Sequence, residues 1–203
     1  MTYEVEPMQQ PIRKAVGRPP TPRLRFGAPS KWDISSKNLP MNLSPEPKRT
    51  PSEFEKLLAG LARNGVDFAV VGGMAVILNG YPRVTVDVDI LAQNSPENLR
   101  KLLKYLESWG EGAARELKVE DFQLEEGSIR VMEDFDLDIF VTMRGKTLDG
   151  FRPNLRFFES DGTRIAYLSP ADLIFLKEGS WREKDKLDVA AMKEILTRET
   201  NPK

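Results

Sequence analysis

The sequence predicts an α+β (α/β) fold, a mixed sheet with helices packed on it, and three observations carry the prediction. Phe68-Ala69-Val70-Val71 is a short apolar, β-branched run that Gly72-Gly73 ends before the helical composition of MAVILNG, so the order is strand, glycine turn, helix. Two later segments, VTVDVDIL from Val84 and FDLDIFV from Phe135, alternate apolar and polar residues with the period of a strand. Around them lie segments whose leucines recur at helical spacing, Leu57, Leu58 and Leu61 in one and Leu99, Leu102, Leu103 and Leu106 in another.

Taken in order, the chain of 203 residues divides into two parts: a tail over 1–51 and a domain over 52–199. Residues 1–50 carry nine Lys or Arg against four Asp or Glu, and nine of the 15 prolines, with little apolar periodicity. This composition predicts a basic, Pro-rich, disordered or extended tail up to Pro51. Within it, KAVGRPPTPRLR has a Gly-Arg-Pro core like a minor-groove hook but lacks the basic residue before the glycine, so a solvated linker competes with a nucleic-acid-binding arm.

The domain opens with a helix capped by Thr50 or Ser52 and ending at Asn64-Gly65, and the Phe68 strand follows. In the VTVDVDIL strand, Val84, Val86, Val88 and Ile90 are expected on one face and Thr85, Asp87 and Asp89 on the other. Asn94-Ser95-Pro96 begins the Leu99 helix. The stretch Gly110–Glu126 has no clear period. SIRVM, from Ser128, reads as a strand, and the next places Asp136 and Asp138 on one face. Leu155–Phe158 and Thr163–Leu168 read as a hairpin turning at Asp161-Gly162. Ser169-Pro170 caps a helix reaching Lys177, and a last helix from Trp181 is expected to bury Leu187, Val189, Met192, Ile195 and Leu196.

The residues absent are as informative as those present. With neither cysteine nor histidine, disulfides, thiolate chemistry, Ser/His/Asp hydrolysis and most transition-metal sites are excluded. No apolar run approaches the length of a membrane span, and the first 20 residues lack the apolar core of a signal peptide, so a cytoplasmic protein with no membrane partner is expected. Asp87 and Asp89, two residues apart on one strand face, repel unless a cation sits between them, and a divalent metal such as Mg²⁺ or Mn²⁺ meets that need. At Gly72 and Gly73 no side chain blocks the backbone, so a phosphate can approach the amides at the start of the helix. The same residues are compatible with a plain tight turn beside the solvent-facing side of an edge strand.

Gly72-Gly73, then Asp87-Val88-Asp89, with Arg83 and Thr85 between them, resembles the signature of the DNA polymerase β-type nucleotidyltransferase superfamily. The surrounding GGMAVILNGYPRVTVDVDIL is similar to its small stand-alone branch, which includes abortive-infection toxins. The resemblance spans 53–198 and implies a polymerase β-like nucleotidyltransferase fold and a metal-dependent nucleotidyltransferase. Such an enzyme moves a nucleoside monophosphate from an NTP to a hydroxyl of an RNA (a tRNA, for example) or protein acceptor. A toxin role with an antitoxin partner is part of the same implication.

The resemblance also implies a third carboxylate on the strand beside Asp87 and Asp89. Asp138, followed by Ile139-Phe140-Val141, matches it best, and Asp136 competes. Asp87, Asp89 and Asp138 then serve as catalytic metal ligands, with Gly72, Gly73, Arg83, Lys177 and Lys184 as nucleotide-binding residues. Lys184, Asp185 and Asp188 resemble site-shaping positions, although an ordinary surface pair such as Lys184–Asp188 reads the same way. Gly73 departs from the serine common in the wider superfamily. Two alternatives stay open: a catalytically inactive nucleotide- or nucleic-acid-binding protein of the same fold, and an interaction subunit.

Overall fold

A computed structural model describes residues 11–18 and 52–201. One mixed sheet of seven strands organises them, in the order β1-β4-β5-β3-β2-β7-β6, with five α-helices among the described residues. The strands are β1 (Ile12–Gly17), β2 (Phe68–Val70), β3 (Asp87–Ala92), β4 (Ser128–Met132), β5 (Asp136–Phe140), β6 (Arg156–Ser160) and β7 (Thr163–Tyr167). The helices are α1 (Glu53–Arg63), α2 (Gly72–Leu78), α3 (Pro96–Leu106), α4 (Pro170–Lys177) and α5 (Glu183–Thr200).

Local chemistry sets most of the boundaries. Ser52 caps α1 by a reciprocal box, its Oγ accepting from the Glu55 amide at 3.2 Å while Glu55 accepts from the Ser52 amide at 2.7 Å. Ser95 and Ser169 cap α3 and α4 in the same sense, each followed by proline. The β6–β7 hairpin turns at Asp161 and Gly162, both with positive φ, as a two-residue turn of the right twist requires. Two short 3₁₀ turns, Ala113–Glu116 and Val119–Asp121, fill the stretch whose period was ambiguous.

The two faces of the central strands differ in chemistry. Val88, Ile90, Val131, Leu137 and Ile139 are buried and join one apolar core with Leu58 and Leu61 of α1 and Leu99, Leu102 and Leu106 of α3. Removing one such leucine to alanine costs about 2–5 kcal/mol through lost transfer energy and the cavity left behind. The alternate residues, Asp87, Asp89, Asp136 and Asp138, therefore share the opposite face. Register aligns them: β3 and β5 run parallel with Asp87 beside Asp136 and Asp89 beside Asp138.

Three expectations are corrected here. Ile12–Gly17, placed by composition in an unstructured tail, forms β1 and pairs in parallel with β4. Val16 is buried against the core, and the Arg13 guanidinium donates to the carbonyls of Asp121, Gln123 and Glu125. Lys14 adds an ion pair of 2.7 Å to Asp121. The remainder of 1–51, including most of the basic Gly-Arg-Pro stretch, lies outside the described residues.

Next, Val84 and Val86 do not continue the buried face of Val88 and Ile90. They are 83% and 74% exposed, because β5 begins at Asp136 opposite Asp87 and offers nothing for Val84 to Val86 to pair with. Last, α5 does not bury Leu187, which is 58% exposed; the inward stripe is Asp185, Asp188, Ala191 and Met192. Its aspartates turn inward because cations of neighbouring elements meet them there.

Candidate active site

A cavity of about 240 Å³ opens on the carboxylate face of the sheet. It is lined by Gly72 and Gly73 of α2, Asp87 and Asp89 of β3, Asp138 of β5, Arg83 ahead of β3, Lys177 of α4 and Lys184 of α5. These are the eight residues nominated from the sequence, brought together from five elements and one loop.

Asp87, Asp89 and Asp138 each offer a carboxylate oxygen, and these atoms lie within 4.8 Å of one another. Each is aimed by a neighbour. The Thr85 hydroxyl donates to Asp87 at 2.8 Å. Asp138, almost fully buried, is gripped by Arg130 of β4, directly opposite it in the antiparallel register. Arg130 Nε donates to Asp138 Oδ1 at 2.8 Å and Nη2 to Oδ2 at 2.6 Å, while Ser128 donates to Oδ1 at 3.3 Å. Arg130 Nη1 also pairs with Asp136 at 3.1 Å. These carboxylates push the guanidinium further above its ordinary range, the Asp138 hydrogen bonds most of all.

Burial, then the charge of Asp87, then that of Asp138, push the Asp89 carboxyl from 3.8 up to about 7. Lys177 and a hydrogen bond from the Gly73 amide work against the rise. Three clustered carboxylates, one of which takes up a proton near neutrality, form a hard-oxygen donor set short of positive charge. The set fits Mg²⁺ or Mn²⁺, which are bound through a few carboxylate oxygens plus water and phosphate.

The glycines are required by this geometry. Gly72 has φ of +58°, and a Cβ there would overlap the Asp89 carboxylate. A Cβ on Gly73 would come within 2.6 Å of the Thr85 hydroxyl and 3.2 Å of the Arg83 guanidinium. The backbone between β2 and α2 thus lies directly against the side chains of the Asp87–Asp89 strand.

On the far wall the cations are neutralised from α5. Arg83 bonds Asp188 at 2.6 Å, and Lys177 bonds Asp185 at 2.7 Å and Asp188 at 3.0 Å. Burial pushes the Asp185 carboxyl up, but Lys177 and the Ser180 hydroxyl outweigh it and hold it below the usual carboxylate range. The surface pairing Lys184–Asp188 does not form. Asp188 is 1% exposed and faces Arg83 and Lys177, which leaves Lys184 as an exposed, unpaired cation at the rim among the described residues.

The sequence alone does not nominate Arg130, although it is the charged member of SIRVM on the same alternation as Ser128. Asp136, the competing third carboxylate, stands on the same face as Asp138 but serves as a second counter-ion for Arg130.

A mixed sheet carrying a glycine turn against one strand, beside three carboxylates drawn from that strand and its neighbour, is a nucleotidyltransferase-type fold. The chain belongs to the family described as nucleotidyltransferase of unknown function (DUF6036), whose model matches residues 52–200. β1 lies outside the matched range.

Among solved structures, the chain is similar to the lincosamide antibiotic adenylyltransferase LnuA in its lincomycin-bound form. That match has 18% identity and a TM-score of 0.48, covering 71% of this chain and 98% of that one. It is also similar to an antigenic nucleotidyltransferase-like protein from Paracoccidioides brasiliensis, at 19% identity and a TM-score of 0.42, covering 70% of this chain and 76% of that one. No curated protein matches it. No helix among the described residues is long and apolar enough to cross a membrane.

Proposed function

We propose that this chain transfers a nucleoside monophosphate from an NTP to a hydroxyl of an RNA or protein acceptor, with Mg²⁺ or Mn²⁺ as its metal. The observation that carries the reading is the convergence of Asp87, Asp89 and Asp138, oxygens within 4.8 Å, in one cavity with the glycine turn and with Arg83, Lys177 and Lys184. Asp87, Asp89 and Asp138 would hold the metal, which when bound neutralises phosphate charge and sharpens the acceptor oxygen as a nucleophile.

The chain's own residues do the rest. Thr85 fixes the Asp87 carboxylate, Ser128 and Arg130 hold Asp138 in the metal-free site, and the absence of side chains at Gly72 and Gly73 lets a triphosphate lie against the backbone. Lys184, at the rim and unpaired among the described residues, is placed to meet the outer phosphates first. Arg83 and Lys177 contribute charge to the leaving pyrophosphate while Asp185 and Asp188 hold them in position. The acceptor hydroxyl gives its proton to an oxygen of the carboxylate cluster, its oxygen bonds to the α-phosphorus, the bond from that phosphorus to the bridging oxygen breaks, and pyrophosphate departs.

A second reading, nucleotide binding without turnover, is favoured by one observation: Arg130 engages both oxygens of Asp138. Incubation with each α-³²P nucleoside triphosphate and Mg²⁺ or Mn²⁺, against total RNA and a protein lysate, separates the two. Label from the wild type that disappears with Asp87→Ala/Asp89→Ala supports transfer and reports the base and the acceptor class. No label, with stabilisation of the wild type by nucleotide plus metal, supports binding alone. A toxin role paired with an antitoxin is a narrower form of the transfer reading, supported by the sequence resemblance.

A further inference from the structure

We propose that Arg130 is a positioning residue that latches the third carboxylate: it holds Asp138 while no cation is bound and shifts onto Asp136 when Asp138 turns to a divalent metal. The proposal rests on the metal-site reading of the Asp87, Asp89 and Asp138 cluster and adds its regulation.

The geometry supplies both positions of the latch. Both oxygens of Asp138 are engaged: Oδ1 accepts from Arg130 Nε at 2.8 Å and from the Ser128 hydroxyl at 3.3 Å, and Oδ2 from Nη2 at 2.6 Å. A cation drawn to Asp138 therefore meets a guanidinium that repels it and competes for the same carboxylate, and binds more tightly when the fork gives way. The place for it to go is already in contact. Arg130 Nη1 lies 3.1 Å from Asp136 Oδ2, and Asp136 Oδ1 is buried without a hydrogen-bond partner among the described residues.

A buried, unsatisfied carboxylate oxygen favours any movement that supplies it with a donor. Asp136 stands two residues before Asp138 on the same face, so the guanidinium pivots over one strand repeat without leaving the cavity wall. Few other cations can take this place, because Arg83 and Lys177 are bound to Asp185 and Asp188. A divalent metal without nucleotide would have to compete with this grip and would bind weakly.

The test is titration of Mn²⁺ into full-length protein without nucleotide, following free Mn²⁺ by electron paramagnetic resonance. Arg130→Gln is expected to bind Mn²⁺ about tenfold more tightly than wild type, as removal of a screened positive charge and of its grip on the ligand predicts. Arg130→Lys, which keeps the charge but loses the planar fork, is expected to fall between the two. Asp136→Asn is expected to weaken Mn²⁺ binding about threefold in the wild-type background, and by less than twofold when Arg130 is Gln, the coupling that a relay requires.

Arg130→Lys binding like wild type, or Asp136→Asn weakening both backgrounds equally, overturns the latch. If Arg130→Gln does not fold, the same cycle is run with Arg130→Lys and read by the same criteria. Mn²⁺ binding that is unchanged by Asp87→Asn/Asp89→Asn overturns the metal-site reading, and the latch with it. Binding that depends on the aspartates but not on Arg130 overturns the latch alone.

Discussion

The Asp89 carboxyl, raised from 3.8 to about 7, makes the metal-free protein less stable as the pH rises, the reverse of the usual behaviour of a carboxylate. A group whose folded pKa exceeds its unfolded one holds its proton more tightly when folded. Its stabilisation is complete below the unfolded value near 4 and is lost as pH climbs through about 7. Three pKa steps at about 1.4 kcal/mol each set a ceiling of about 4 kcal/mol. Asp89 lies beside the charges of Asp87 and Asp138 and lines an open cavity, so about half of that, about 2 kcal/mol, is the working figure. About two-thirds of this falls between pH 5 and pH 8, which for a domain of this size corresponds to a fall in Tm of about 3–5 °C.

Asp136, also raised chiefly by burial, acts in the same direction. Asp121, Asp185 and Glu199 are lowered, so their contribution is lost only as pH falls below the ordinary carboxylate range, outside this window. The assay is thermal unfolding in EDTA at pH 5 to 8.5, wild type beside Asp89→Asn. The variant keeps only the Asp136 contribution, so its curve should fall less steeply than that of the wild type and lie above it at pH 8. A wild-type Tm that holds constant or rises over this range, or an Asp89→Asn curve that falls in parallel with it, refutes the account of Asp89.

Two further outcomes test the walls of the cavity. Gly72→Ala must place a Cβ on the Asp89 carboxylate at φ +58°, so it should cost about 2–3 kcal/mol and abolish nucleotide-dependent stabilisation. Gly65→Ala, at φ +69° with open space around it, should cost about 1 kcal/mol, and urea denaturation of the pair measures the difference. Asp188→Ala leaves Arg83 and Lys177 without their shared buried counter-ion and should destabilise by about 3–5 kcal/mol, again by urea denaturation. A loss below about 1 kcal/mol would show that Asp185 alone suffices.

What the sequence made legible was the chemistry held within a few residues. Serine caps, the Asp161-Gly162 turn, the glycine doublet and the two alternating Asp-containing strands all announce themselves locally. The eight nominated site residues line one cavity because the two carboxylate strands are neighbours in parallel register. What stayed illegible is tertiary. The alternation in Val84 and Val86 looks identical to that in Val88 and Ile90, and only the length of the neighbouring strand decides where pairing stops. Arg130 becomes part of the site through a partner across the sheet, and the α5 aspartates become buried because Arg83 and Lys177 come from other elements. In β1 the misleading signal was composition: Arg13 and Lys14 look like solvated charge, yet their partners lie at residues 121–125.

The position of β1 also bears on how the chain assembles. Among the described strands it is synthesised first, yet it has nothing to pair with until β4 has emerged, so its contacts close a loop of about 110 residues. The entropy of that closure grows only slowly with length, so the cost is more one of time than of stability. Until then β4, which carries the two residues that grip Asp138, is an open edge able to pair with a strand of another chain. β1 is thus made about 110 residues before the strand it covers, and the edge beside the residues that grip Asp138 stays open until it docks.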